Sequence, residues 1–363
     1  MEELEKQIAA LNRGGGGGRR GNALPVFWTV EVDPAKEKEQ SYVLSSGEFD
    51  KPEKDKPVEP GWPFSAGKPD FRDGRIEGFA DWLTAPENPF FARVAVNRLW
   101  QWHFGEGLQK TPSDFGTLGG APTDQRLLDW LASEFVARKF SMKEMNRLMV
   151  TSETYKRAST MDPALAAENA KIDPADDYLW SFRLQRLEAE PIWDSILSSA
   201  GTLDLSLGGP SFDIAAAPAR GGGGGGGRGA AAASGPANRR GAYMIRGFST
   251  SRDVVPNFLQ SFDVDDGRLP CPLRTRTVTA PQGLFLMNSR EIDEASAKLA
   301  ERLQKESGGD IAAAVDLGYR ITLARPPSPG EKDEALTYLK NDPARLKGLA
   351  WLLFNLDEFI YAR

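Results

Sequence analysis

The sequence is poor in the residues that usually announce chemistry. Its 363 residues include one cysteine, Cys271, and one histidine, His103. A single cysteine excludes an intramolecular disulfide, and one Cys with one His excludes a zinc cluster built from those residues. A covalent c-type haem, which needs Cys-x-x-Cys-His, cannot attach to this chain. An excess of positive charge is also missing. Against 51 Asp and Glu stand 45 Lys and Arg, a net charge of −6. That balance does not support the broad basic surface of duplex binding, so no nucleic-acid partner is expected. No run of about 18 apolar residues occurs, which predicts no membrane-spanning helix. The opening MEELEKQIAALNR lacks the apolar stretch of a secretory signal, so a chain truly starting at Met1 would stay in the cytoplasm.

The common catalytic signatures are absent too. Gly67-Lys68 lacks the earlier glycine of a phosphate loop, and GFSTS at Gly247 to Ser251 lacks the last glycine of a nucleophile elbow. The acidic string SFDVDDG carries Asp263, Asp265 and Asp266. Taken as a calcium loop from Asp263, it puts Gly267 at the fifth position and Arg274 at the twelfth, neither of which suits the ion. A solvated turn is expected there, and no metal site anywhere. His103, in NRLWQWHFGEG, is an acid/base or axial-ligand candidate. Its structural alternative is a hydrogen-bonded residue near a helix end, among Trp100, Trp102 and Phe104. Cys271, between two prolines in LPCPLRTRT, is either a thiol activated by Arg274 and Arg276 or a small buried residue. The nine tryptophans stand mostly at helical spacing, which predicts core packing over sugar stacking.

What is present points to a mainly α fold: a multi-helix globular body with a small β-containing N-terminal segment and Gly-rich flexible insertions. Residues 1–24 read as a helix and a glycine linker, Gly14 to Gly18. Residues 25–70 read as short strands, VFWTVEV and SYVLSSGEF, followed by a proline-rich run expected to be extended and irregular. Residues 71–160 form a first helical lobe. Residues 161–363 form a second, with a flexible insertion at about 215–238 containing Gly221 to Gly227. Capping signatures mark helix starts: Ser141 with Glu144, Ser328 with Pro329 and Glu331, and Asp342 with Pro343. The polar segment from Asp162 to Asp177 is expected to connect the lobes. Pro191 must either kink a helix or sit in its first turn. GAYMIRGF is the best late strand.

Several longer strings carry a family resemblance. NPFFARVAVNRLWQWHFGEGLQKTPSDFGTLGGAPTDQRLLDWLASEF, FSMKEMNRLMVTSETYKRAS, LWSFRLQRLEAEPIWDSIL and FDVDDGRLPCPLRTRTVTAPQGLFLMNS resemble a bacterial domain of unknown function. That domain is usually found C-terminal to planctomycete-type cytochrome c domains. LDLSLGGPSFD, RRGAYMIRG, LARPPSPGE and WLLFNLDEFIYAR extend the likeness from about Arg75 to Arg363. The resemblance implies a periplasmic or extracytoplasmic accessory module beside a c-type cytochrome, carried by a partner or an upstream domain. Haem would then belong to that neighbour, and no cofactor to this chain. Polar residues inside the matching strings are the site candidates. His103, Asp263 and Cys271 are candidates for chemistry; Asn97, Arg98, Arg274, Gln282 and Asn288 are candidates for binding. Two other readings stand beside the accessory one. The first is an enzyme acting on polysaccharide with a site near His103 and Asp263; the second is RNA binding by the Arg-Gly tracts.

Overall fold

The computed structural model describes residues 40–59, 61, 75–209, 211–212, 237–248, 253–254, 256–265 and 271–362. The expected N-terminal helix, the VFWTVEV strand and both glycine tracts lie outside these residues. Among the described residues are thirteen α-helices and six short strands, so the protein is mainly α. No described helix is long and apolar enough to cross a membrane. The chain divides into two compact units, Met1–Ala92 and Arg93–Arg363.

In the first unit, β1 (Ser41–Leu44) pairs antiparallel with β2 (Pro52–Val58), Ser41 opposite Val58 and Leu44 opposite Pro52. The described part of the proline-rich run, Pro52–Val58, is therefore a paired strand and not irregular as its prolines suggest; Pro60, Pro63 and Pro69 lie outside the described residues. A two-stranded ladder leaves each strand one open edge, where a residue without an N–H costs nothing. Helix α1 (Arg75–Thr84) follows. Asn88 then accepts the Phe90 and Phe91 N–H groups, opening α2 (Phe91–Phe104).

The second unit holds two apolar clusters. The smaller lies among α2, α3 (Gln125–Ala137) and α4 (Met142–Val150), with Val96, Leu99, Leu128, Leu131, Phe135, Met145 and Met149 buried. Asp124 caps α3 through the Leu127 N–H, and Ser141 caps α4 through that of Glu144. The segment read as a plain connection carries a further helix, α5 (Pro163–Ile172). Asp162 accepts the Ala164 and Leu165 N–H groups, and Pro163 occupies the first turn, so cap and proline together start a helix that apolar periodicity does not reveal.

The larger cluster is built on three helices: α6 (Ala189–Ala200), α9 (Arg290–Glu306) and α12 (Leu346–Phe354). Ile192, Trp193, Ile196 and Ala200 are buried on α6; Ile292, Ala295, Leu299 and Leu303 on α9; Leu346, Leu349, Ala350 and Leu353 on α12. This spacing places one apolar stripe of each helix inward. Pro191 sits in the first turn of α6, where a missing N–H leaves no bond unmade. Gly201, at φ +72, ends that helix. Helices α7 (Asn257–Ser261) and α8 (Ala280–Asn288) add Phe258, Leu259 and Leu286; α10 (Ile311–Leu323) and α11 (Pro329–Leu339) add Val315, Tyr319 and Leu339. GAYMIRGF contributes a 3-10 turn, a parallel bridge from Met244 to Phe212 and the two-residue β4 (Gly247–Phe248), which pairs with β5 (Asp253–Val254). Finally, β3 (Gln185–Arg186) pairs antiparallel with β6 (Tyr361–Ala362), just after α13 (Asp357–Ile360).

Arg325 ties the far side of this unit together, donating to both carboxylate oxygens of Glu331 at 2.7 and 2.8 Å and of Glu358 at 2.7 and 2.8 Å. The Arg325 guanidinium, and then the Ser328 N–H, hold the Glu331 carboxyl down to about 2. Its folded value lies below the ordinary 4.5, so the stabilisation is present at neutral pH and is lost as pH falls from about 4.5 through 2. With both side chains about one-third exposed, the contribution is about 1 kcal/mol. Arg325→Ala should therefore shallow the acid limb of the stability curve, measured by urea unfolding between those pH values.

Candidate functional site

The polar residues of the matching strings converge only in part. Asn97 is fully buried and holds the loop after α2: its Oδ1 accepts the Gln109 N–H at 2.8 Å and its Nδ2 donates to the Gln109 carbonyl at 3.0 Å. Gln109 in turn donates to Thr111, Asp114, Gly119 and Gly120. Arg98 is exposed on the outer face of α2. His103 bonds through Nδ1 to the Leu99 carbonyl of its own helix at 2.7 Å, and its ring meets Tyr155 edge-on. Asn288 is exposed and donates to Leu284 at the end of α8. Gln282 is buried at the start of α8, accepting the Thr279 N–H and donating to Thr277.

Asp263 is bound to β3 through Arg186, while Arg274 and Cys271 line a cavity at the start of α6. Asp263 is not in a solvated turn. Its carboxylate takes a charge-assisted bond from Arg186, whose side chain is 3% exposed, together with the Thr277 N–H at 2.9 Å and hydroxyl at 2.6 Å. Arg186 also donates to the Thr277 and Leu187 carbonyls and lies 5.5 Å from the Phe262 ring centre. Asp263 adopts φ +65, a left-handed conformation that Asp tolerates better than most residues. Arg274 bridges Glu188 at 2.8 Å and both oxygens of Glu190 at 2.7 and 3.0 Å. Burial, the largest single influence, would raise the Glu190 carboxyl, but the Arg274 hydrogen bond, a backbone hydrogen bond and the charges of Arg274 and Arg246 together outweigh it and leave Glu190 below its usual range.

A third guanidinium has no carboxylate of its own. Arg276 bonds to the neutral Gln185 Oε1, its one acceptor among the described residues. Burial pushes Arg276 below its ordinary value; Glu188 opposes that shift and the neighbouring Arg186 adds to it. Arg276, Arg274, Glu188, Cys271, Gln101 and Trp102 line one cavity of about 220 Å³. Gly105, at φ +88, forms part of its wall: a Cβ there would lie 2.6 Å from Gln185 Nε2, so a larger residue would displace that amide.

Cys271 is exposed, contrary to the buried alternative. Local desolvation first, and then Asp265, push its thiol above the ordinary value. The activation expected from Arg274 does not prevail, because that guanidinium is committed to two glutamates. Alkylation by iodoacetamide near neutral pH should accordingly run several-fold slower than that of a free peptide thiol and accelerate on moving to alkaline pH; a mass-spectrometric time course measures this. Among the described tryptophans Trp82, Trp100, Trp180 and Trp351 are half-buried. Trp193 is buried, whereas Trp102 and Trp130 are 60% and 48% exposed. Among the described residues no group of three His, Cys, Asp or Glu side chains is placed to hold a metal ion. No described contact joins His103 to Asp263.

Fold and site together define a mainly helical protein with an arginine-lined polar cavity beside its principal core. The chain belongs to the family described as PSD1, protein of unknown function (DUF1553), whose model matches residues 75–339. No curated protein and no solved structure matches it significantly. The family match ends before α12 and β6, both integral to the second unit.

Proposed function

We propose that this protein is a non-catalytic accessory module that binds its ligand without converting it and works beside a c-type cytochrome. The cytochrome is carried by a partner chain or an upstream domain, outside the cytoplasm, and haem resides there. The observation that supports a binding role is how the polar residues of the matching strings are used. Asn97 is spent on Gln109, Asp263 on Arg186 and Thr277, and Arg274 on two glutamates, each a positioning bond. The cavity offers guanidinium donors, the Gln101 amide oxygen and the Glu188 carboxylate, and its Cys271 thiol has no imidazole beside it, since the one histidine faces Tyr155. The cytochrome association rests on the sequence resemblance.

Affinity capture of the tagged chain from its native host tests the reading. A haem-stained band with a c-type absorption spectrum should co-elute in near-stoichiometric amount. A haem-free eluate under conditions that preserve other complexes would overturn it.

A further inference from the structure

The cavity beside β3 contains polar groups that the fold leaves unmatched. Arg276 has five N–H donors, and one of them is engaged, by Gln185. Gln101 is 5% exposed; its Nε2 donates to the Pro272 carbonyl at 3.0 Å, while its Oε1 is buried with no hydrogen-bond partner. Gln185 Nε2, packed against Gly105, is likewise buried without a partner. Leaving a buried polar atom unpaired costs about 1–3 kcal/mol, so Gln101 Oε1 in the cavity lining, beside the unengaged Arg276 donors, calls for a group that pairs with it. The rim is apolar: Trp102 is 60% exposed and Leu273 is 47% exposed.

Charge sets the class of ligand. Arg274 is already matched by two carboxylates and Arg186 by Asp263, which leaves Arg276 as the one of these three guanidiniums without an ion pair among the described residues. Glu188 lines the same cavity and would repel a doubly charged group. One negative charge fits; two do not. A planar carboxylate matches the guanidinium fork, and a ring beside it would cover the Trp102 face. Volume agrees. A cavity of about 150 Å³ takes a benzene-sized molecule, so about 220 Å³ accommodates a ring with a carboxylate attached.

We propose that this cavity binds a small ring-bearing monocarboxylate, its carboxylate on Arg276, its ring against Trp102 and a donor group of the ligand on Gln101 Oε1. The proposal rests on the site being a binding site, and it does not require the cytochrome partner.

The test is ligand-detected NMR on the full chain with benzoate and glucuronate as probes, and with glucose and inorganic phosphate as comparisons. At least one carboxylate should bind and glucose should not. Arg276→Gln should weaken binding at least tenfold. Trp102→Ala, a change at an exposed side chain that leaves the fold intact, should weaken it several-fold at an unchanged melting temperature. Absence of carboxylate binding, preference for phosphate, or affinity unaltered in both variants would overturn the proposal. The same spectra show whether the bound probe is recovered intact. Conversion of the probe would defeat the non-catalytic reading while leaving the site in place.

Discussion

Arg186→Ala should destabilise the second unit by about 3–5 kcal/mol, because it leaves Asp263 as a largely buried carboxylate without its cation. The Asp263 side chain is 13% exposed and that of Arg186 3%. Removing the arginine also withdraws donors from the Thr277 and Leu187 carbonyls. At about 2–4 °C per kcal/mol for a unit of this size, the melting transition should fall by about 10 °C, measured by circular dichroism. A companion variant separates charge from backbone. Asp263→Asn tolerates φ +65 and keeps the side-chain shape, so its cost reports the lost ion pair, whereas alanine would add the strain of a left-handed conformation. If the pair is the source of stability, combining Arg186→Met with Asp263→Asn should cost less than the sum of the two single changes. Full additivity would show that the residues act separately.

Phe258→Ala is expected to cost about 3–5 kcal/mol by a different route. Phe258 is fully buried and its ring meets three others, with centres at 5.6 Å (Trp193), 5.0 Å (Phe262) and 5.1 Å (Phe285). Those neighbours belong to α6, the end of α7 and α8, so the rings cannot collapse together into the space without moving three elements. Phe258→Leu should recover more than half of the loss, as urea unfolding would show; equal effects of Ala and Leu would mean that the site relaxes freely. Phe262 also lies beneath Arg186, so the Phe258→Ala variant should weaken the ion pair's coupling as well.

Which of these features the sequence discloses follows from the range of the interactions. Helix starts are local events, and Ser141, Ser328 and Asp342 cap where their neighbours predict. The apolar stripes of α6, α9 and α12 are equally plain, since each repeats within a few residues. The arginine network is not local. Arg186 reaches Asp263 across 77 positions, and Arg274 reaches Glu188 across 86. A trace of it exists in alternation: Arg186 and Glu188, and likewise Arg274 and Arg276, stand two residues apart, the spacing that sets side chains on one side of an extended segment, whereas Glu190 already lies in the first turn of α6. Gln101 and Trp102 were hidden for the opposite reason. They lie on a helix whose apolar pattern suggests burial throughout, although the surface of α2 at Trp102 is open. His103 drew attention by being the sole imidazole, yet a ring nitrogen bonded to its own helix needs no special chemistry.

The pairing of β3 with β6 ties the cavity to the order of synthesis. Gln185 and Arg186 sit on a strand whose partner, Tyr361–Ala362, leaves the ribosome about 175 residues later. Until then, neither the Gln185 amide that holds Arg276 nor the Arg186 guanidinium that holds Asp263 has its final backbone neighbour. The binding site is thus among the last features of the chain to mature, and a nascent protein lacking β6 would carry three arginines and their carboxylates without the strand that aligns them.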